Sequence, residues 1–395
     1  MKRLKSLFLP GKSNSTYADA GDFLRVICVG MIGWYHIWQQ SWLNPDLQLF
    51  GRSFRLYPAV ACGYMFVDLM LLLSGSLLML SFLSGRGRDL RDFYAARAAR
   101  ILPSYWLCMA VMLALALLAP GGGYGSAREM WTDVLSHLTF THNLFPSSYS
   151  FTKLNGALWT MAVEVQFYLI FPLLARAFER RPGCTYCAMA ALGLFCRGLI
   201  ATFVSDTTIY VNCLPAMLDV YANGMLAAWI YRRLCRSPRS AWRAWLSTAL
   251  TLAAAVGVYH ILRLQLGRSG GENVRLGQML WRYPLSLLGG IFLICGSRSI
   301  RLMRALLTNR VIRFLSGISF NFYIWHQVLA VQLKKWRIPY YEGENPNRAG
   351  LQPWQNNYTL CCWAAALLTA VAITYLVEKP CARWIKRRFS RRKGT

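Results

Sequence analysis

Asp22–Trp42, DFLRVICVGMIGWYHIWQQSW, is apolar enough to enter a bilayer, yet it carries an arginine and a histidine. Arg25 and His36 stand eleven positions apart. At ~100° per residue that is about three turns, so both side chains share one helix face. At ~1.5 Å rise they lie roughly 16 Å apart, half the thickness of a hydrocarbon core. The stretch reads as a membrane helix with a cation near one surface and an imidazole halfway to the other.

The rest of the chain supports that setting. Its 395 residues are 55% hydrophobic and 15% charged, against roughly 25% charged in a soluble domain, so much of the surface is expected to face lipid. Fifteen Trp and twenty Tyr suit interfacial aromatic belts. Twelve Cys are scattered, and the CTYC of Cys184–Cys187 has no partner pair. Neither a disulfide framework nor a zinc site is expected. The basic start MKRLKSLFLPGK lacks a short apolar core with a cleavage site and reads as a retained cytoplasmic segment.

Apolar runs between polar punctuation give ten candidate spans: 22–43, 59–83, 101–119, 157–177, 184–204, 211–231, 243–262, 281–297, 311–333 and 357–377. The longest loop, 120–156, is large enough for a cap or an entrance and nothing more. With the N-terminus inside, the cytoplasmic segments are KRLKSLFLPGK, GRGRDLRDFYAARAAR, RAFERR, YRRLCRSPRSAWR, SRSIRLMRALLTNRVIR and KPCARWIKRRFSRRKGT. They hold 30 of the 44 Lys and Arg, as the positive-inside rule requires. A net charge of +28 would suggest nucleic acid in a soluble protein. Here topology and anionic inner-leaflet lipid account for it, and no nucleic-acid partner is expected. The expected fold is an all-α, polytopic membrane helix bundle of about ten transmembrane helices in the cytoplasmic membrane, both termini cytoplasmic. Residues 1–21 precede the transmembrane domain 22–378, and 379–395 form a basic tail.

An ionisable side chain at mid-bilayer costs on the order of 2.5–3.5 kcal/mol even on the mild insertion scale, so its presence suggests function. These residues sort into two layers. Arg25 sits at the inner end of the first span, and RAARILPSYW puts Arg97 and Arg100 on one face entering the third. Taken alone they read as positive-inside anchors. Taken together they read as a mouth for an anionic cytosolic ligand, because Arg binds phosphate bidentately. Towards the outer side come His36, Glu164 with Trp159 above and Tyr168 one turn below, and His326 with Tyr323 and Ser319 on its face. Asp68 and Asp219 lie at middle to outer depth. A single buried His is more often a satisfied core group, but five such groups point to a shared polar cavity able to do proton chemistry. HLTFTHN, His137–Asn143, has two His at spacing five and reads as an outer-loop or helix-end segment, not a metal site.

Several ordered motifs resemble the acyltransferase-3 family of integral-membrane acyltransferases. Arg25 and His36 match its Arg/Lys-x10-His first helix. VDLMLLLSG, with Asp68, Ser74 and Gly75, looks like its VDxFFxLSG. Arg97 and Arg100 match its RxxR, followed by ILPSY. LWTMAVEVQFYLIFPLL is close to LWSLxxEEQFYLxxPLL and supplies Trp159, Glu164, Phe167 and Tyr168. SGISFNFYIWH looks like GxxSYxxYLxH, with Ser319, Tyr323 and His326, and TYLVEKP matches YxxIEKP, with Glu378 and Pro380. The chain departs from the pattern at Val165, in place of a second Glu, and at Met70 and Leu71, in place of paired aromatics. The arginine that often precedes an Asp such as Asp219 is missing, and no fused C-terminal esterase-like domain is expected.

The resemblance implies transfer of an acyl group, most often acetyl, from cytosolic acyl-CoA to a sugar hydroxyl of a cell-surface or lipid-linked glycan, with no metal. It implies Arg25, Arg97 and Arg100 as donor-binding residues, and His36, Glu164 and His326 as catalytic, with His36 the base or transient acyl carrier. Asp68, Trp159, Tyr168, Ser319 and Tyr323 are expected to line the pocket, Ser74–Gly75 to allow close packing, and Glu378 to close the last helix structurally. Transfer is expected within the membrane domain or on a separate polysaccharide-assembly protein. A flippase for a lipid-linked saccharide and a scaffold subunit are the alternative readings.

Overall fold

The computed structural model describes residues 16–49, 51–119, 123–236 and 240–389. Residues 1–15 of the expected N-terminal segment, Phe50, Pro120–Gly122 of the long loop, residues 237–239 and residues 390–395 of the basic tail lie outside the described residues.

Among the described residues, ten helices of 17 residues or more account for the apolar runs: α1 (Thr16–Ser41), α2 (Phe66–Leu83), α3 (Leu90–Leu117), α4 (Trp159–Arg180), α5 (Pro182–Phe203), α6 (Leu218–Leu234), α7 (Ala241–Leu266), α8 (Gly271–Arg298), α9 (Arg310–Lys335) and α10 (Trp354–Ile373). A π-turn, Thr374–Glu378, joins α10 to a shorter α11 (Lys379–Phe389). Among the described residues, seven helical stretches are long and apolar enough to cross a membrane. The three long helices outside that set are α1, α6 and α9. α1 carries Asp22, Arg25 and His36, α6 carries Asp219 and Arg232–Arg233, and α9 carries Asn321, His326 and Gln327. The result is an all-α multi-pass membrane bundle.

Two local features depart from the sequence expectation. α3 begins at Leu90, not 101, because the Asp89 carboxylate accepts the Asp92 amide at 3.0 Å and caps the helix early. Arg97 and Arg100 are therefore held within a regular helix. A two-stranded antiparallel hairpin, Leu47–Leu49 with Arg52–Phe54, interrupts the otherwise helical chain.

Small residues let the central helices approach. A Cβ on Gly33 of α1 would lie 2.6 Å from the Phe322 ring of α9, and one on Gly224 of α6 would lie 2.1 Å from the Leu72 carbonyl of α2. Gly75 meets the Tyr221 carbonyl in the same way at 2.8 Å, so Gly75 is a packing residue as expected. α1 thus packs against α9 on one side and α2 on the other.

Two buried ion pairs lock this core. Asp68 does not line a pocket: it is fully buried, and its Oδ1 accepts from Arg282 Nε of α8 at 2.9 Å. Arg282 also donates to the Val211 carbonyl at 2.6 Å and to Asn212 Oδ1 at 3.1 Å. Asp219 receives both Arg197 Nη atoms of α5 at 2.6 Å. The missing neighbour of Asp219 in the sequence is thus supplied from the preceding helix. Desolvation of a carboxylate is offset here by a guanidinium that uses its remaining donors on nearby carbonyls.

Candidate active site

A cavity of about 350 Å³ opens among α1, α2, α3, α4, α9 and α11. Arg25, Arg97 and Arg100 all line it, together with Ser74, Glu164, Tyr168, Ser319 and Tyr323. The sequence reading put the arginines in an inner layer and Glu164, Tyr168, Ser319 and Tyr323 in an outer one; the cavity holds members of both.

The arginines differ in how they are held. Arg25 Nη1 donates to Asp22 Oδ1 at 3.2 Å and to Ser316 Oγ at 3.0 Å, and Ser316 in turn donates to Asp22 at 2.7 Å. Arg97 and Arg100 form no ion pair among the described residues. Arg97 lies over the rings of Phe93 and Tyr168, at 5.6 and 5.7 Å, and Arg100 lies over Phe320 at 5.5 Å. The Arg97 Nε is buried without a hydrogen-bond partner. Aromatic faces hold these guanidiniums by cation–π attraction and leave their donors free. Unspent donors in a cavity are what an anionic ligand needs.

Glu164 stands in the same cavity. Its Oε1 accepts from Ser74 Oγ at 2.8 Å and from the Tyr168 hydroxyl, so two helices fix one carboxylate oxygen. Ser74 therefore has a polar role beside the packing role of Gly75.

The two histidines lie elsewhere. His36 and His326 face one another across α1 and α9 with ring centroids 5.2 Å apart. His326 Nδ1 lies 2.6 Å from the Tyr323 carbonyl. A carbonyl only accepts, so Nδ1 carries the proton and Nε2, buried without a partner, keeps its lone pair. His36 Nδ1 lies 3.0 Å from Gln39 Oε1, whose amide nitrogen is engaged by the Tyr35 hydroxyl at 2.9 Å. The same logic leaves a basic Nε2 on His36.

Tyr323 touches both the cavity and His326. Its hydroxyl lies 2.8 Å from that of Thr160 and donates to the Ala157 carbonyl at 3.1 Å, while its ring centroid is 5.6 Å from that of His326. The structure thus brings Glu164 together with the arginines and the histidines with each other. Glu164 lines the cavity with the arginines and Tyr323, and Tyr323 in turn touches His326.

Trp159 does not line the cavity. It faces Tyr149 at 6.4 Å, because Thr160, the next residue along the turn, takes the inward position. Glu378 is more than a helix terminator: it lines the cavity and accepts from Asn321 Nδ2 at 2.7 Å, re-aimed by the π-turn. Ala382 and Lys386 follow it on one face of α11 into the same cavity. Part of the expected basic tail is thus a wall of the site, packed on α3, where Arg91 Nε reaches the Phe389 carbonyl at 2.6 Å. The i, i+4, i+8 spacing of Glu378, Ala382 and Lys386 was the available signal in the sequence. The same intramembrane-charge rule that singled out Asp68 also applied to Arg197 and Arg282, which sequence reasoning passed over.

The stretch expected to be a helix end, His137–Asn143, contains the end of the helix Ala127–Leu138. The rings of His137 and His142 stack there at 3.9 Å. His137 Nδ1 lies 2.8 Å from the Asp133 carbonyl, and both rings are buried.

The chain matches the profile of a family described as "Acyltransferase domain", acyltransferase-3, over residues 20–379. It is 27% identical to "Nodulation protein 10" of Rhizobium leguminosarum bv. viciae, over 61% of this chain and 69% of that protein. It is 24% identical to "Putative peptidoglycan O-acetyltransferase YrhL" of Bacillus subtilis (strain 168), over 80% of this chain and 49% of that protein. It is 26% identical to "O-acetyltransferase OatA" of Staphylococcus aureus (strain NCTC 8325 / PS 47), over 44% of this chain and 26% of that protein. The match thus spans about half of the Bacillus relative and a quarter of the Staphylococcus one. No solved structure matches the chain. With the profile covering nearly every described helix, the chain belongs to the acyltransferase-3 family.

Proposed function

We propose that this protein is a membrane O-acyltransferase that moves an acyl group, acetyl in the first instance, from cytosolic acyl-CoA to a hydroxyl of a cell-surface or lipid-linked glycan. Ten helices cross the cytoplasmic membrane in this reading, with both termini and the arginine cavity on the cytoplasmic side. The observation that carries it is the pair of guanidiniums without an ion pair among the described residues, Arg97 and Arg100, in a cavity whose Tyr323 touches His326, itself beside His36 and with a buried Nε2 that has no partner. The O-acetyltransferase names of two relatives favour transfer over passage of a lipid-linked sugar.

In this mechanism Arg25, Arg97 and Arg100, with Lys386, hold the phosphates of the donor. The pantetheine arm carries the thioester along the cavity, past Glu164, towards Thr160 and Tyr323. His36 Nε2 takes the proton of the acceptor hydroxyl as its oxygen attacks the thioester carbonyl carbon. The C–S bond breaks, a C–O bond forms, and the CoA thiolate leaves with the proton returned from the imidazolium. His326 holds the second imidazole position beside His36. Glu164, fixed by Ser74 and Tyr168, orients the donor end of the path.

The test is transfer of labelled acetyl from acetyl-CoA to glycan in membranes containing the protein. His36→Ala and Glu164→Gln are each expected to lower the rate at least 10²-fold, with protein amount unchanged. Full activity in both variants overturns the assignment.

A further inference from the structure

A second cavity, of about 630 Å³, lies at the opposite end of the same helices. On α3, Ala99 lines the first cavity and Met112 the second, thirteen residues or about 20 Å further along. On α9, Ser319 lines the first and Lys335 the second, about 24 Å apart at ~1.5 Å per residue. What separates them is thin. Tyr323, Thr160 and the Ala157 carbonyl form the partition, and Asn155 and Gly156, the residues just before it, already line the second cavity.

The lining of this second cavity has a definite chemistry. Lys153 and Lys335 are its only charged residues among the described ones, and both are exposed. Asp133, the acid bonded to this loop, is occupied: its Oδ2 accepts from the Tyr124 and Thr152 hydroxyls and from the Lys153 amide at 3.0–3.1 Å. Gln327, beside His326 in the chain, lines the cavity with a buried Oε1 that has no hydrogen-bond partner. A buried acceptor left unsatisfied is costly, and a ligand hydroxyl would satisfy it. Gln332 and the half-exposed Trp336 complete the wall. Amides that meet hydroxyls, an indole face and two cations form a set suited to a sugar bearing negative charge.

We propose that this second cavity is the acceptor pocket and that it takes an anionic saccharide. Lys153 and Lys335 bind its carboxylate or phosphate oxygens, and Gln327 and Gln332 meet its hydroxyls. The proposal deepens the transfer reading and rests on it for the role of acceptor. Its binding claim stands on the cavity alone.

The test is equilibrium binding of labelled probes to the purified full chain in detergent, without donor. The probes are a glucuronate-containing tetrasaccharide against its carboxyl-reduced form, and glucose 1-phosphate against glucose. At least one charged probe is expected to bind tenfold or more tightly than its uncharged counterpart, and which one does so identifies a carboxylate or a phosphate as the recognised group. Lys153→Gln with Lys335→Gln is expected to abolish the preference, while Lys153→Arg with Lys335→Arg retains it and controls for folding. No charge preference in the wild type, or a preference that survives the double Gln variant, overturns the proposal. Charge-selective binding by a protein that moves no acetyl from acetyl-CoA supports the pocket and sinks the transfer reading instead.

Discussion

Two pairs of arginines in this bundle obey the same rule and end in opposite states. Arg197 and Arg282 lie in apolar helices, each against a fully buried carboxylate, Asp219 and Asp68, at 2.6 and 2.9 Å. Arg97 and Arg100 lie in a helix of similar character with aromatic rings for neighbours and no ion pair among the described residues. Both arrangements put a guanidinium where it is costly. In the first pair the cost is met inside the protein, and the result is a rigid connection between α5 and α6 and between α8 and α2. In the second it is left open, to be met by a ligand. An intramembrane charge is thus a sign of function only after its partner has been looked for.

This contrast can be broken by experiment. The largest expected effect is on the open pair. Replacing Arg97 and Arg100 together by Ala removes two hydrogen-bonding groups to a charged ligand, each worth about 1.5–3 kcal/mol. The expected outcome is a loss of roughly 10²–10⁴-fold in kcat/KM for the acyl donor, carried mainly by KM, with an unchanged melting temperature in detergent. A fall in melting temperature with donor affinity intact would make these arginines structural, like the other two.

Next is the closed pair. Asp219→Ala leaves Arg197 buried without its counter-charge, and loss of one partner of a buried pair costs about 3–5 kcal/mol. Thermal unfolding and the yield of folded protein should both register it, whereas donor affinity in the protein that folds should stay close to normal. Unaltered unfolding would show that Asp219 does not hold the core.

The smallest effect belongs to a buried group that avoids the problem by staying neutral. Burial, and then the neighbouring His137, push the His142 imidazole down from 6.5 to about 3. A group whose value is depressed on folding contributes stability that is fully present above its unfolded value and lost as the pH falls towards the folded one. Melting temperature should therefore decline as pH drops from about 6.5 towards 3, and His142→Phe should flatten that decline. An identical decline in the variant would place the acid sensitivity at another group.

Much of the architecture was legible in the chain because a bilayer enforces it. A helix must satisfy its own backbone in lipid, so long apolar runs have one solution, and each of the ten expected spans has a long helix over it. The motif residues Arg25, Arg97, Arg100, Glu164, Tyr168, Ser319 and Tyr323, which the sequence divides between two layers, line one cavity. Less legible was which polar groups meet. Asp68 and Trp159 fit the pocket pattern but face elsewhere, and Glu378 and Lys386 read as part of a terminus in the sequence, whereas the π-turn and α11 fold them into the wall. Helical phase fixes which residues share a face, but not which neighbouring helix that face meets.

The sequence by itself determined a membrane-embedded helical chain, a first helix with Arg25 and His36 on one face, and membership of a family that its motifs already resembled. Hydropathy and spacing suffice for that, because both are properties of single segments. Tertiary structure alone decided that Asp68 and Asp219 are neutralised by arginines from other helices, that Glu164 shares a cavity with Arg97 and Arg100, and that Tyr323 touches both this cavity and His326. Those outcomes depend on distances of a few ångströms between segments far apart in the chain, and Coulomb and hydrogen-bond energies change their meaning over that range.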